Sequence, residues 1–120
     1  MTPYVYRCKL DRVVDGDTID IDIDLGFNVW LKKQRVRLVG IDTPESRTRN
    51  LSEKALGLAA KKRLIELCTG TLTISSHGRG KYGRILGVPY TDGGEDMCKI
   101  LINEGHAVEY WGGTKVKVWG

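Results

Sequence analysis

The chain has 120 residues, 41% of them hydrophobic and 28% charged, with a formal net charge of +4 and an isoelectric point near 9.0. That length accommodates one domain with a modest core, and the apolar content excludes a disordered polypeptide. The mild basic excess suits a polyanionic partner without requiring one. Cys8, Cys68 and Cys98 are odd in number, widely spaced and form no CxxC pair. They exclude a disulfide frame and a cysteine zinc site and are expected to be free thiols. Met1-Thr2-Pro3-Tyr4 opens no basic-then-apolar leader, and no apolar run approaches the length of a membrane span. The expectation is a cytoplasmic protein that is not membrane-bound.

Tyr4 to Val14 reads as a first strand, and Asp15-Gly16-Asp17-Thr18 as the turn that ends it. From Thr18 to Leu25 the alternation is strict: Ile19, Ile21, Ile23 and Leu25 face one way and Asp20, Asp22 and Asp24 the other. The acidic row fails as a calcium-binding helix–loop–helix, because Leu25 and Leu31 stand where glycine and glutamate are needed. It is expected to be a solvated outer face. Gly26-Phe27-Asn28 makes the next turn, and Val29 to Gly40 a long third strand.

Beyond a polar loop from Ser46 to Asn50, Ser52 is placed to cap a helix of about 16 residues that ends near Cys68. Its apolar side is expected to be Ala55, Leu56, Ala59, Ala60, Leu64 and Leu67. Thr71–Ser76 and Ile85–Tyr90 read as a fourth and fifth strand around the donor-rich turn His77–Arg84, with Pro89 marking an edge or strand end. Asp96 caps a short helix that closes at Gly105, His106–Tyr110 is extended, and a tail follows from Trp111. Long strands with glycine at their bends suit a small, strongly curved barrel.

The chemically loaded stretch is Val36-Arg37-Leu38-Val39-Gly40-Ile41-Asp42-Thr43-Pro44-Glu45. Pro44 lacks an N–H and stops the strand, so two carboxylates and a hydroxyl stand at the rim of the sheet. Such oxygen donors suit a hard cation, and the forked donors of Arg37 suit a phosphate. Together they point to phosphodiester chemistry. The plainer alternative is a turn capped by Asp42 and Glu45 and neutralised by Arg37.

Three ordered motifs, Asp15-Gly16-Asp17-Thr18, Arg37 to Glu45, and Lys81-Tyr82-Gly83-Arg84, closely resemble the staphylococcal nuclease (thermonuclease) family. The resemblance runs roughly from Val13 to Tyr110 within one domain spanning residues 1–120. It implies a mainly β, α+β fold: a five-stranded OB-like barrel with two helices packed around it. It also implies metal-dependent, endonuclease-type hydrolysis of DNA or RNA, with one divalent cation, Ca²⁺ first and Mg²⁺ or Mn²⁺ as alternatives. By position, Asp17, Asp42 and the carbonyl of Thr43 would hold the ion, and Glu45 would activate or position the attacking water. Arg37 and Arg84 would clamp the phosphate, Lys81 and Tyr82 would contact a flanking phosphate, and Tyr110 would stack on a base.

The sequence also departs from that pattern. The Ser46–Ser52 segment is short, the tail after Tyr110 takes the place of a third helix, and the hairpin around Gly26 to Lys33 is lengthened. A monomer is expected. The competing reading is a catalytically silent nucleic-acid-binding module of the same OB-like fold, which would typically lack the acidic ligands or the arginines. A calcium-buffering protein would not need Arg37 and Arg84.

Overall fold

A computed structural model of the protein describes residues 4–80 and 84–110. Its elements in order are β1 (Val5–Asp15), β2 (Thr18–Asp24), β3 (Trp30–Leu38), β4 (Ile41–Asp42), α1 (Leu51–Leu67), β5 (Leu72–Arg79), β6 (Ile85–Tyr90), α2 (Met97–Asn103) and β7 (Val108–Glu109). Five strands close into a barrel in the order β1-β2-β3-β6-β5, and β4 pairs with β7 in a separate two-stranded sheet. This is the α+β, OB-like architecture that the sequence implies.

Period-2 patterning drives closure. Ile19 and Ile21 are fully buried and Ile23 nearly so. They point inward with Cys8, Val13, Val36, Leu38, Leu72, Ile74 and Val88. Irregular register between Leu10 and Arg12, between Val13 and Asp15, and between Ile21 and Ile23 bends β1 and β2 enough to curl the sheet. The barrel shuts where β3 runs parallel to β6, Val36 facing Ile85 and Leu38 facing Gly87. That pairing ends before Pro89, which pairs with Ile74 on β5, so its missing N–H costs the β3 side nothing.

Helix α1 corrects two expectations. Its cap is Asn50, whose Oδ1 accepts the Glu53 amide at 3.1 Å, so Ser52 lies inside the first turn. Asn is as strong a capping acceptor as Ser, and the earlier position leaves the Glu53 carboxylate in the first turn, where it takes the Glu45 amide at 3.1 Å. Its buried side is Gly57, Ala60, Leu64 and Leu67, with Ala55, Leu56 and Ala59 outside. The helix is rotated because the chain at Glu45–Ser46 crosses directly over Gly57. A Cβ there would sit 2.4 Å from the Glu45 carbonyl carbon and oxygen.

The acidic row on β2 also departs from expectation. Asp20 is only 8% exposed, lying beneath Arg12 of β1 and Arg35 of β3 rather than standing in solvent. Asp22 takes the Lys33 amide at 2.9 Å and faces Lys32, and Asp24 accepts the Gly26 amide at the turn. Helix α2 is capped by Asp96, as its sequence indicates, and Glu104 just past it is gripped by both Nε and Nη2 of Arg63 on α1. Cys8, Cys68 and Cys98 are free; burial pushes the first thiol up to about 11 and the other two up to about 12. Among the described residues no helix is long and apolar enough to cross a membrane.

Candidate active site

Two turns meet at one end of the barrel. The Asp15–Thr18 turn links β1 to β2, and residues 43–46 follow β4. Glycine permits the approach: a Cβ on Gly16 would meet Ala60 Cβ at 2.8 Å and Thr43 Oγ1 at 2.9 Å. Asp15 Oδ1 accepts the Ser46 amide at 3.3 Å as well as its neighbouring Gly16 amide. Asp17 Oδ2 lies 3.4 Å from the Thr43 amide and 3.4 Å from Arg37 Nη2, while its Oδ1 accepts from Thr18 Oγ1 at 3.0 Å. The Leu38 amide bonds to the Asp17 carbonyl at 2.9 Å, locking the turn against the end of β3.

Arg37 is more deeply engaged than a rim-facing phosphate ligand would be. Nη1 donates to the Leu38 carbonyl at 2.7 Å and Nη2 to the Ile41 carbonyl at 2.8 Å, with a side-chain exposure of 17%. The guanidinium thus pins the chain that leads into Asp42 and partly neutralises Asp17. The plainer expectation has Arg37 neutralise Asp42 and Glu45, whereas the carboxylate it pairs with here, Asp17, is one that expectation does not name. Arg37 also borders a cavity of about 270 Å³ together with Leu38, Val39, Gly40, Ile41, Leu86, Arg84 and Tyr110. Tyr110 is held there because its amide donates to the Gly40 carbonyl at 2.9 Å, where β7 pairs with β4.

A second cavity, of about 370 Å³, is lined by Val14, Asp15, Thr18, Arg35, Glu45, Arg47 and Arg84. Glu45 is exposed, and its own amide donates to Glu53 Oε2 at 3.1 Å, so α1 fixes the backbone and leaves the carboxylate in the cavity. Arg84 borders both spaces. Asp42 is buried at 4% exposure, and Thr43 beside it is also buried. The Thr43 hydroxyl has no hydrogen-bond partner among the described residues.

The structure therefore groups Asp17 with Thr43 and Arg37, and Arg37 with Arg84 and Tyr110. It also groups Glu45 with Arg84. Among the described residues no three His, Cys, Asp or Glu side chains converge on a metal-sized point. Lys81 and Tyr82 lie outside the described residues. Residue-by-residue reading missed Asp15, Arg35 and Arg47 as walls of the Glu45 cavity. Asp15 opens the very motif that supplied Asp17. Arg35 carried a signal as well, being the outward residue one strand period before Arg37.

Comparison with known proteins adds to this geometry. Residues 35–117 match the family model described as staphylococcal nuclease homologue. The chain is 39% identical over 102 residues to Endonuclease YncB of Bacillus subtilis (strain 168), covering 82% of this chain and 45% of that protein. It is 37% identical over 100 residues to a Thermonuclease of Staphylococcus intermedius, covering 80% and 55%. It is 32% identical over 114 residues to a Micrococcal nuclease of Shigella flexneri, covering 88% and 59%. The chain thus spans about half the length of these relatives.

Proposed function

We propose that this chain, which belongs to the staphylococcal nuclease family, acts as one domain that hydrolyses phosphodiester bonds of DNA or RNA. The observation that carries the reading is Arg84 bordering both cavities, with Glu45 on one side and Arg37 and Tyr110 on the other. A phosphate at Arg84 would then be within reach of a carboxylate base and of a second guanidinium.

Asp17, Asp42 and the Thr43 carbonyl would hold one divalent cation, Ca²⁺ before Mg²⁺ or Mn²⁺. The donor chemistry favours this: all are hard oxygens, and the buried Thr43 hydroxyl beside them lacks a partner among the described residues. Such an ion, when bound, supplies charge neutralisation at a phosphate oxygen and acidifies water. The chain's own groups do the rest. Glu45 takes a proton from the attacking water, its exposed side chain standing in the wall of the cavity that Arg84 shares. Arg37 and Arg84 hold the phosphate oxygens and tighten as charge builds on them in the transition state. Arg37 enters with its position already fixed by two carbonyls, so little ordering remains to be done at the moment of reaction. Tyr110 offers a ring to a base in the cavity it lines, and Lys81 and Tyr82 would contact a flanking phosphate.

The test is cleavage of single-stranded DNA, RNA and plasmid in Ca²⁺, in Mg²⁺ and in EDTA. Metal-dependent cutting that falls about 10²- to 10⁴-fold in Glu45→Gln supports the reading. Arg84→Ala should lose more in kcat than in KM, and an unchanged turnover in that variant refutes its role. A binding-only module is the second reading, favoured by the commitment of Arg37 to Leu38, Ile41 and Asp17. Retarded but uncut nucleic acid under every metal condition would select it.

A further inference from the structure

The lengthened β2–β3 hairpin has no part in the chemistry above, yet it is built at a visible energetic cost. Gly26, Phe27 and Asn28 have φ of 81°, 53° and 63°, a left-handed run in which a bulky residue such as Phe27 is strained. The turn is nonetheless well bonded: Leu25 N to Val29 O is 2.8 Å, Val29 N to Gly26 O 2.9 Å, and Gly26 N to Asp24 Oδ1 2.8 Å. Its product is a phenylalanine that is 100% exposed. Burial gives no reason for an aromatic ring held rigidly in solvent.

The outer face leading to that tip is arranged in rows. Across β1, β2 and β3 the register sets Arg12 beside Asp20 and Asp20 beside Arg35. It then sets Lys9 beside Asp22, with Lys32 3.4 Å away. In each row the acid lies underneath and the bases stand above. Asp20 and Asp22 side chains are 12% and 21% exposed, against 56%, 49% and 69% for Arg12, Arg35 and Lys32. Solvent therefore meets a cationic surface, and each underlying carboxylate, buried at Asp20 and half-buried at Asp22, fixes its cations in place. Trp30, from the next position along, holds these same two lysines, with the Lys9 and Lys32 ammonium groups 5.2 and 5.6 Å from its ring centroid. Rows recur every second residue of β2, about 6.7 Å apart.

This face is continuous with the candidate active site, because Arg35 both caps Asp20 and lines the Glu45 cavity. We infer that the outer face of β1, β2 and β3, from Arg35 and Arg12 past Lys9 and Lys32 to Phe27, is a track for single-stranded nucleic acid leaving the cavity. The cations would follow the phosphates and Phe27 would stack on a base, the combination that sequence-tolerant single-strand binders use. The inference rests on the reading of the cavity as a phosphodiester site. Continuity with that cavity and the sign of the surface favour a nucleic acid over a protein or lipid partner.

The experiment measures binding rather than cutting, so the two readings fail separately. In protein carrying Glu45→Gln, with Ca²⁺, anisotropy is recorded for single-stranded oligonucleotides of about 12 and about 3 nucleotides across a salt series. The Lys9→Ala/Arg12→Ala/Lys32→Ala variant keeps Arg35 on Asp20 and the Lys33 amide on Asp22, so the barrel stays paired. It should lower the slope of log affinity against log salt by about 2 for the long oligonucleotide and leave the short one unchanged. Phe27→Ala removes a side chain with no intramolecular burial. It should weaken the long oligonucleotide about fivefold or more without changing that slope. An unaltered slope in the triple variant, or equal loss on both lengths, overturns the track. So does Phe27-dependent self-association on a sizing column with the slope retained. A length-dependent effect in a protein whose unmutated form cuts nothing would sink the nuclease reading and leave the track standing.

Discussion

Asp17 and Asp20 stand three residues apart, at the start of β2 and on its outer face, and are buried to nearly the same degree. Side-chain exposure is 14% for one and 12% for the other. Their partners separate them. Asp20 receives Arg35 Nε at 2.9 Å on Oδ1, and Arg35 Nη2 at 3.2 Å and Arg12 Nε at 3.1 Å on Oδ2, so both its oxygens are engaged by guanidinium groups. At Asp17 Oδ2 the Arg37 guanidinium and the Thr43 amide both stand off at 3.4 Å. A carboxylate saturated by short charged bonds is spent on the fold, whereas one held loosely among hard oxygens keeps lone pairs for a cation. With Thr18 Oγ1 at 3.0 Å, Asp17 has three contacts, as many as Asp20, so burial and contact number cannot tell the two roles apart; the lengths and the charge of the donors can.

Asn substitutions break that comparison most sharply. If Asp17 holds the ion as proposed, Asp17→Asn should lower metal-dependent cleavage about 100-fold or more, since transition-state charge stabilisation of several kcal/mol would go with that ion. Its thermal midpoint should barely move. Asp20→Asn should do the reverse, losing about 2 kcal/mol of stability with its charge-assisted bonds while the folded fraction cuts normally. Urea unfolding and single-turnover cleavage on both variants decide the matter. A matching loss of stability in Asp17→Asn would make it a second structural carboxylate.

Gly57→Ala sharpens the same distinction from the helix side. The added Cβ would lie 2.4 Å from the Glu45 carbonyl and 2.6 Å from the Ser46 amide nitrogen, so backbone must move. Overpacking of this kind costs about 1–3 kcal/mol, and a displacement of Glu45 by about 1 Å can cost on the order of 100-fold in rate. The expected outcome is a variant whose kcat falls by more than its stability explains. A plain helix-propensity gain with full activity would show that the Glu45 turn yields freely.

Much of this frame was legible in the sequence because it is local. Alternation around Ile19, Ile21 and Ile23 specified β2, Pro44 stopped the strand before Glu45, and Asp96 announced α2. What escaped depends on elements that meet only after folding. The burial of Asp20 needs an arginine from each neighbouring strand, and the rotation of α1 needs the Glu45 turn lying over Gly57. A glycine amid strong helix formers was the available clue, since it costs about 1 kcal/mol there unless something approaches closely. The grip of Arg37 on the Leu38 and Ile41 carbonyls had no sequence signal, because it follows from how the chain doubles back at Gly40. The parallel closure of β3 on β6 is likewise invisible to any window of neighbouring residues.

A pH titration separates the carboxylates without altering catalysis. Hydrogen bonding from Arg35, and then from Arg12, holds the pKa of Asp20 below the ordinary aspartate range despite its burial. Arg63 does the same for Glu104, and the Lys33 amide leads the effect at Asp22. A depressed folded value means the stabilisation is complete above the unfolded value of about 3.9 for aspartate and is lost as pH falls through the folded value. Thermal midpoints should therefore drop as the pH falls below about 4, and Asp20→Asn should flatten that limb, leaving Asp22 and Glu104 to supply the remainder. An equally steep limb in the variant would place the acid sensitivity elsewhere.

The smallest expected effect comes from Thr43→Val, which separates the carbonyl of this residue from its hydroxyl. The hydroxyl is buried and without a partner among the described residues, so an isosteric methyl should be neutral or stabilising by about 1 kcal/mol. Cleavage should persist if the ligand is the main-chain oxygen, as proposed, because the substitution leaves it in place. A Ca²⁺ titration of cleavage gives the decisive number. An unchanged midpoint assigns the ligand to the backbone, whereas a rise of tenfold or more would bring the hydroxyl into the ion's shell and explain why a polar atom is kept buried there.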